Sequence, residues 1–562
     1  MLTSDASAPY PVTTRSRDLG TPPRASFHTA NFHRSRPWND YSHVVEHPDK
    51  YCRAVPSAAP GCCASEAVPV AVYEARGQKC AGCIAVHKRV SPDLLLSSAA
   101  DNHYPALSIH QEGGTGADPE FDRWQYPGEP FLAVNNRHSF VIFPPKCFDE
   151  IKRLPEHTAS AKGFFHATNY GHWSHIGTET PQLIKSVIAD LTRSLPARVL
   201  TRQEDCLKAF DDVLGHSSQW KDFPLMMTTF EIVTQINACS FVGRELGNNG
   251  SWVRAVMMSP IFIHVAVTLL DACPLILRPF MAPIYFFPSI KNRWDMTRLL
   301  TPVLQADMKE YYEAKDKKEI LRPRAEGKIP FTGFLLSRYQ AAEATIKQLV
   351  ADYILISFDS TPSTASALFH VLCELALHPE AAEILRQEVD EVLVDGNLPG
   401  THLQELRKMD SFLRESFRLH PIGIFTLQRR LEKPVKLSVG PTLPAGLIVA
   451  VDGQAINRNP SMWPNPDSFD TDRFYRLRQK PGNENRFHFL TTGSDSPGWG
   501  DGTQACPGRF FATSTLKIAL AHFLRNYDIE IKPECLPLKH TPLSNGSWKP
   551  DDTAIARIRS RS

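Results

Sequence analysis

The run of residues 498–512 places one cysteine between a glycine-rich loop and the start of a helix. Apolar residues at core spacing indicate the helix, namely Leu516, Leu520, Phe523, Leu524 and Tyr527. The positive end of a helix dipole lowers the pKa of a thiol and favours the thiolate, the form that binds metals. We therefore expect Cys506 to be a thiolate ligand, although a buried structural cysteine also fits this loop.

The residues around Cys506 fit a large, flat ligand. Gly500, Gly502 and Gly508 allow the backbone to lie flat against a planar group, because they carry no side chain. Pro507 pre-sets the first helical turn at a position where a missing N–H costs nothing. The loop is thus predicted to hold a planar, metal-containing group.

Charged residues upstream of this loop form a second pattern. Glu415 and Arg418 are three residues apart, so they share one face of a helix and can pair. Arg473 follows in the run 469–474, Phe-Asp-Thr-Asp-Arg-Phe. Such pairs decorate many exposed helices, and only their order relative to Cys506 makes them informative.

In this order the motifs resemble those of the cytochrome P450 monooxygenases, especially the fungal branch of secondary metabolism. The loop resembles the family's haem-binding signature, Phe-x-x-Gly-x-Arg-x-Cys-x-Gly, in which Cys506 matches the axial ligand of the haem iron. Trp499 replaces the phenylalanine. Gln504 stands where arginine or histidine pairs with a haem propionate, and its uncharged amide implies a weaker contact.

The resemblance implies further roles. Glu415, Arg418 and Arg473 match the family's buried structural cluster. Arg429, or its neighbour Arg430, is expected to contact a haem propionate, and a solvated strand arginine is an equal alternative. For Arg193, which also follows a family pattern, we expect a surface position.

The oxygen-activating pattern of the family, Ala/Gly-Gly-x-Asp/Glu-Thr-Thr/Ser, is altered here to Asp-Ser-Thr-Pro-Ser-Thr at residues 359–364. Pro362 replaces the acid and Ser363 matches the threonine. Asp359 precedes Ser363 by four residues, one helical turn. We hypothesise that Asp359, Ser363 and an ordered water form a replacement proton relay, with Thr364 as the alternative hydroxyl. A surface or substrate-contacting role for Asp359 is an equal alternative.

The elements that position these residues are mostly helices, with a small β region, as the haem-thiolate cytochrome P450 fold implies. Residues Ala341 to Leu377 are predicted to form one long buried helix, followed by another from Glu380 to Leu393. Phe131 to Val134 and Ser139 to Phe143 are predicted to be paired strands.

Residues 1–115 are rich in Ser, Ala, Pro and Gly and show no helical or strand period. We expect a poorly ordered N-terminal extension there, without signal peptide or membrane anchor, and the cytochrome P450 domain at 116–562. The Cys80–Cys83 pair is weak evidence for zinc. Prolines and charged residues interrupt the apolar stretch from Val256 to Phe287, which predicts two amphipathic helices resting on a membrane rather than a span.

Composition excludes several classes of protein. The chain has 62 basic and 60 acidic residues, a net charge of +2, which offers no basic surface for nucleic acid. Its 12 cysteines are too sparse for a disulfide scaffold in 562 residues. The 21 histidines show no metal-ligand spacing.

The resemblance implies a monooxygenase that binds haem b and oxidises a small organic substrate, as a tailoring step on a terpenoid, polyketide or alkaloid. Electrons would come from NADPH through NADPH–cytochrome P450 reductase, at the endoplasmic reticulum. The altered run 359–364 keeps open a peroxide-using or isomerising haem-thiolate enzyme. A non-catalytic haem-binding relic is the other alternative, and the intact Cys506, Glu415, Arg418 and Arg473 argue against it.

Overall fold

The computed structural model of the chain describes residues 85–89, 128–134, 137–317, 330–340, 342–400, 403–543 and 545–561. Within these ranges the chain is mainly helical with a small β region, which confirms the predicted fold class. The prediction for Cys80 and Cys83 falls outside the described residues.

The α-helices of the described ranges run through most of the chain and are numbered here in order. They are α1 (Phe148–Lys152), α2 (Ala161–Thr168), α3 (Gly171–Ser174), α4 (Pro181–Lys185), α5 (Thr192–Val213), α6 (Leu225–Gly247), α7 (Gly250–Ala272), α8 (Arg278–Tyr285), α9 (Phe287–Asp316), α10 (Pro330–Arg338), α11 (Ile346–Ser360), α12 (Pro362–Leu377), α13 (Pro379–Val392), α14 (Arg407–Leu419), α15 (Gly453–Asn457), α16 (Arg473–Arg478) and α17 (Arg509–Asn526). The predicted helix from Glu380 to Leu393 corresponds to α13.

The strands of the described ranges form three sheets. They are β1 (Ala85–Arg89), β2 (Phe131–Val134), β3 (Ser139–Phe143), β4 (Ala159–Ser160), β5 (Lys221–Pro224), β6 (Phe425–Leu431), β7 (Ile448–Asp452), β8 (Tyr527–Ile531), β9 (Thr541–Pro542), β10 (Trp548–Lys549) and β11 (Ile555–Ser560). The largest sheet has the order β1-β2-β3-β7-β6-β4, and the others are β5-β11-β8 and β10-β9. The predicted antiparallel pair is confirmed as β2 and β3, with Phe131 opposite Ile142.

Strand β1 lies inside the segment 1–115 that we predicted to be a poorly ordered extension. It pairs antiparallel with β2 at the edge of the largest sheet. The boundary at residue 115 therefore stays a prediction, with one described strand on its N-terminal side.

The prediction of one helix from Ala341 to Leu377 is wrong, because two helices, α11 and α12, meet at Thr361. Pro362 has no N–H with which to continue the hydrogen-bond ladder of α11. It stands instead as the first residue of α12, where a missing donor costs little. The two ends of the run 359–364 thus lie on different helices.

Side chains satisfy the backbone carbonyls at this break. The hydroxyl of Thr361 donates to the Ser357 carbonyl at 2.8 Å, and the side-chain amide of Asn237 donates to the Ser360 carbonyl at 2.9 Å. Helix ends leave such carbonyls without intrahelical partners. The break is therefore supported by specific hydrogen bonds from α6 and from Thr361 itself.

The apolar stretch from Val256 to Phe287 contains the end of α7 and all of α8, so the prediction of two helices is confirmed. Pro260, which we expected to interrupt it, lies inside α7. Among the described residues α7 alone is long and apolar enough to cross a membrane by length and composition, and half of its most apolar window is buried.

The largest core cluster packs α17 and the loop before it against α14. The ring of Trp499 packs with its centroid 4.9 Å from that of Phe417 and 5.3 Å from that of Phe489. Leu516 and Leu520 of α17 are buried in the same cluster. The cysteine loop is thus anchored on the central helices.

Candidate active site

Backbone geometry holds the cysteine loop in a tight turn. The N–H of Cys506 donates to the Trp499 carbonyl at 2.8 Å, and the Trp499 ring N–H donates to the Phe489 carbonyl at 2.7 Å. Gly500 and Gly502 have φ values of +67° and +72°, which favour glycine. At Gly502 an added Cβ would also lie 2.8 Å from the Lys152 carbonyl oxygen.

The thiol of Cys506 lies just before α17 and is half-buried. Burial raises its pKa above the ordinary value, and this effect outweighs the lowering that we expected from the helix start. Backbone N–H groups of Gly508 and Arg509 donate to the sulfur and oppose that rise. Two donors aimed at one sulfur favour its ionised form once a metal replaces the proton.

Gln504 connects the cysteine loop to the region of β4 and α2. Its amide oxygen accepts the N–H of Ala161 at 2.8 Å, and its amide nitrogen donates to the Ala159 carbonyl at 3.0 Å. Asp501 anchors the same loop through an ion pair of 2.9 Å with Lys152. The propionate contact expected of Gln504 stays a prediction, with both ends of its amide already engaged by backbone.

Arg429 on β6 is a buried cation, only 2% exposed. Burial lowers its pKa to about 10. Its Nε and Nη2 atoms have no hydrogen-bond partner among the described residues. Arg430 instead pairs with Glu432 at the surface. Strand β6 also touches the cysteine loop, since the Thr426 hydroxyl donates to the Pro497 carbonyl at 2.7 Å.

The structure brings Glu415, Arg418 and Arg473 together in the core. Glu415 is fully buried, and its two carboxylate oxygens accept from Arg418 at 2.8 Å each and from Arg473 at 2.9 Å. The remaining guanidinium N–H groups donate to backbone carbonyls between Asn457 and Ser468. Arg193, by contrast, is 73% exposed, as expected of a surface residue.

Asp359 lies near the end of α11, and its side chain is accessible to solvent. Surrounding protein atoms desolvate the carboxyl, and this burial, with the charge of Glu179, raises its pKa well above the ordinary value. Its charge also raises the pKa of Cys506. The role of Asp359 in a proton relay, at the surface or in a substrate contact stays a prediction.

The hydroxyls expected to work with Asp359 lie at the start of α12. Ser363 Oγ donates to the backbone carbonyl of Asp359 at 3.4 Å, and not to its carboxylate. Thr364 is buried. Asp359 and Ser363 thus remain about one turn apart although the helix breaks between them. The proposed link through a water remains a prediction.

Sequence reasoning missed Glu179, the carboxyl whose charge acts on Asp359. It lies between α3 and α4, where it accepts the backbone N–H of Gly177 at 3.0 Å. Some 180 residues separate the two carboxyls in the sequence. No motif marks Glu179, so only the fold could identify it.

These residues fit a haem group. Cys506 presents a sulfur that accepts two backbone N–H groups, and Arg429 presents buried donors that a haem propionate would satisfy. A cysteine at a helix start with a buried cation beside its loop is an arrangement that fits a haem-thiolate site. When bound, the haem supplies the chemistry that activates oxygen.

Comparison with known proteins agrees with this class. The profile of the family "Cytochrome P450" matches residues 261–554. Pyrichalasin C-18 hydroxylase of Pyricularia grisea is 71% identical over 460 residues, 82% of this chain and 84% of the relative. Cytochrome P450 monooxygenase ccsD of Aspergillus clavatus is 66% identical over 439 residues, 78% of this chain and 89% of the relative.

Solved structures show the same fold. Cyanobacterial CYP120A1 with bound retinoic acid covers 79% of this chain and 94% of its own, with a TM-score of 0.58 at 15% identity. The chain belongs to the cytochrome P450 family. It is a haem-thiolate monooxygenase of the fungal secondary-metabolism type, which binds haem b, oxidises a small molecule in a tailoring step and takes electrons from a redox partner.

Proposed function

We propose that this protein hydroxylates pyrichalasin or a molecule of closely related structure. The observation that carries this proposal is the 71% identity to pyrichalasin C-18 hydroxylase over 460 residues. The carboxyls of Asp359 and Glu179 would then contribute polar groups to the cavity that receives the substrate.

The test uses purified holoenzyme with NADPH, cytochrome P450 reductase and oxygen. A pyrichalasin analogue without the C-18 hydroxyl should gain one oxygen atom, measured by mass spectrometry, and Cys506→Ala protein should give no product. An analogue that neither shifts the Soret absorption nor reacts would refute the substrate assignment. Product formed with hydrogen peroxide, but not with NADPH and reductase, would instead identify a peroxide-using enzyme.

Cys506 is proposed as the thiolate ligand of the haem iron. Trp499 positions its loop from the core side, while Gly500, Gly502 and Gly508 keep the backbone free of side chains. Gln504 holds the loop against the Ala159–Ala161 region. Arg429 would pair with a propionate, because a buried guanidinium without acceptors is costly.

Proton supply is proposed to run through Asp359, with Ser363 or Thr364 as the hydroxyl. The raised pKa of Asp359, caused first by burial and then by Glu179, keeps its carboxyl protonated to a higher pH than usual. A protonated carboxyl can donate, whereas Pro362 at the family's acid position cannot.

The redox partner is proposed to be NADPH–cytochrome P450 reductase, with the protein resting on the endoplasmic reticulum membrane. Support comes from an exposed apolar face around α8, made of Leu275, Ile276, Phe280, Ile284 and Phe287, each 55–80% exposed. Contiguous exposed apolar residues of this kind mark protein or membrane contacts.

Vesicle sedimentation tests the membrane contact. Ile276→Asp with Phe280→Asp should reduce binding of the holoenzyme to phospholipid vesicles, because charged residues enter the lipid interface poorly. Val394→Asp is the matched control, since Val394 is 50% exposed but lies outside this face. Equal sedimentation of all three proteins would contradict the proposal.

A further inference from the structure

Three histidines from separate segments lie close together beside the C-terminal half of α12. His370 lies within α12, His420 follows α14, and His540 directly precedes β9. One ring nitrogen from each lies within 4.8 Å of the others. The ring centroids are 4.8 Å apart for His370 and His420, 5.0 Å for His370 and His540, and 5.4 Å for His420 and His540.

A carboxylate completes this cluster. Glu374, one turn after His370 on α12, is only 7% exposed. Its Oε1 lies 2.6 Å from Nε2 of His420, and its Oε2 lies 3.4 Å from Nε2 of His378. Histidines that bind metals characteristically give their second ring nitrogen to such a carboxylate, which orients the ring.

His370 provides an independent sign of a missing partner. The residue is 5% exposed, and its Nδ1 has no hydrogen-bond partner among the described residues. Buried polar atoms in native proteins are nearly always satisfied. A metal ion bound between the three rings would supply such a partner.

We propose that His370, His420 and His540 form a zinc site separate from the haem, in which Glu374 orients the ring of His420. Three imidazole nitrogens are a ligand set that zinc accepts in tetrahedral sites, with a water molecule in the fourth position and zinc–nitrogen distances of about 2.0–2.1 Å. Ligand atoms around such an ion are roughly 3.3 Å apart. The cluster therefore needs to contract only modestly.

The site would join three segments that are distant in sequence. His370 lies six residues after Thr364, on the helix that carries the proposed hydroxyls. His540 belongs to the C-terminal loop, which borders a surface pocket lined by Leu377, Leu536 and His420. That pocket provides an entry path for the ion. Bound zinc would hold the C-terminal loop on α12 and stabilise the fold.

The histidines show no metal-ligand spacing in the sequence, and only the fold brings these three together. The three proposed ligands are at positions 370, 420 and 540, too far apart in the sequence to form a recognisable spacing. Their proximity depends on how α12, α14 and the C-terminal loop pack.

Zinc titration of the holoenzyme tests the proposal. Protein stripped with a chelator is titrated with zinc chloride against a chromophoric competitor, and one zinc per chain is expected. The melting temperature should rise with zinc concentration, because ligand binding to the folded state stabilises it. His540→Ala, in a surface loop, and His420→Ala should each weaken zinc binding by more than the about 10–100-fold that loss of an orienting partner causes.

His522→Ala is the matched control. His522 is a half-buried histidine that packs on Phe210, with 4.9 Å between ring centroids, and it lies outside the cluster of His370, His420 and His540. It should bind zinc like the wild type. All variants should keep the haem spectrum, which separates this site from the haem. Failure of the wild type to bind one zinc, or equal binding by the wild type and His540→Ala, would overturn the proposal.

Discussion

Gln504 shows how a single residue can depart from a family pattern for a structural reason. Its amide oxygen accepts from Ala161 while its nitrogen donates to Ala159. Arginine has no acceptor and could not make the first bond. The sequence revealed the lost charge, but the compensating backbone contacts were visible only in the fold.

We predict that replacing Asp359 lowers the enzymatic activity. Asp359→Asn should slow coupled turnover by about 10²–10⁴-fold, the usual contribution of a general acid or base, and divert electrons to hydrogen peroxide. Haem content should not change. Peroxide and product yields per NADPH measure the effect. Glu179→Gln is the control: equal uncoupling by both variants would mean that lost charge, and not a proton donor, is responsible.

The pH dependence of the same residue has a definite sign. Burial, then Glu179, raises the pKa of Asp359 in the folded state, so the folded protein holds this proton longer than the unfolded chain. That contribution to stability is complete below the unfolded pKa of about 3.9 and is lost as pH rises through the folded pKa. The melting temperature of Asp359→Asn relative to the wild type should therefore increase with pH, and a constant difference would contradict the assignment.

Replacing Arg418 tests whether the buried cluster of Glu415, Arg418 and Arg473 stabilises the fold. Arg418→Ala leaves Glu415 buried without one of its two cations, which should cost about 3–5 kcal/mol of unfolding free energy. Denaturant unfolding and haem content measure the loss. Arg193→Ala, at a residue with 73% exposure, should have little effect. Similar stability of the two variants would show that the cluster contributes nothing.

Among the elements, the break between α11 and α12 sets the position of the oxygen-side hydroxyls. Because Pro362 is the first residue of α12, Pro362→Ala should change the unfolding free energy by less than about 1 kcal/mol. In a continuous helix the same change would gain about 3 kcal/mol. Ala365→Pro is the control, since it removes the bond from the Ala365 N–H to the Thr361 carbonyl and should destabilise strongly. A large gain for Pro362→Ala would contradict the break.

Elements with local signals were predictable. The pair β2–β3 followed from alternating apolar residues ended by Pro144, and α13 from Pro379 at its start. The break at Thr361 was not predictable, because apolar periodicity continues across it. Local patterns define elements, while the hydrogen bond from Asn237 that supports the break comes from another helix.

At the scale of the whole molecule, the predicted domain boundary at residue 115 can be tested by deletions from the N-terminus. Deletion of residues 1–84 should leave haem content unchanged, because the predicted extension lacks any core pattern. Deletion of residues 1–100 also removes the edge strand β1 and should still bind haem with somewhat lower stability. Absorbance of the Soret band per mole of protein measures both. Loss of folded haem protein on the shorter deletion would contradict the boundary.

The fold class and the role of the cysteine loop could be predicted from the sequence, because motifs of this family occur in the family's order before and around Cys506. The pairing of Asp359 with Glu179 and the meeting of His370 with His540 could not. Each joins residues more than 150 positions apart, and no local periodicity encodes such contacts. Long-range clusters of this kind follow from packing alone.

The reduced carbon-monoxide difference spectrum tests the central claim, that Cys506 binds haem iron as a thiolate. Wild-type holoenzyme should give the red-shifted Soret band of thiolate-ligated haem, and so should Cys535→Ala, whose sulfur accepts only a backbone N–H from Ile555 at 3.4 Å. Cys506→Ala should lose that band together with all oxygenation. An unchanged band in Cys506→Ala protein would contradict this account of the site.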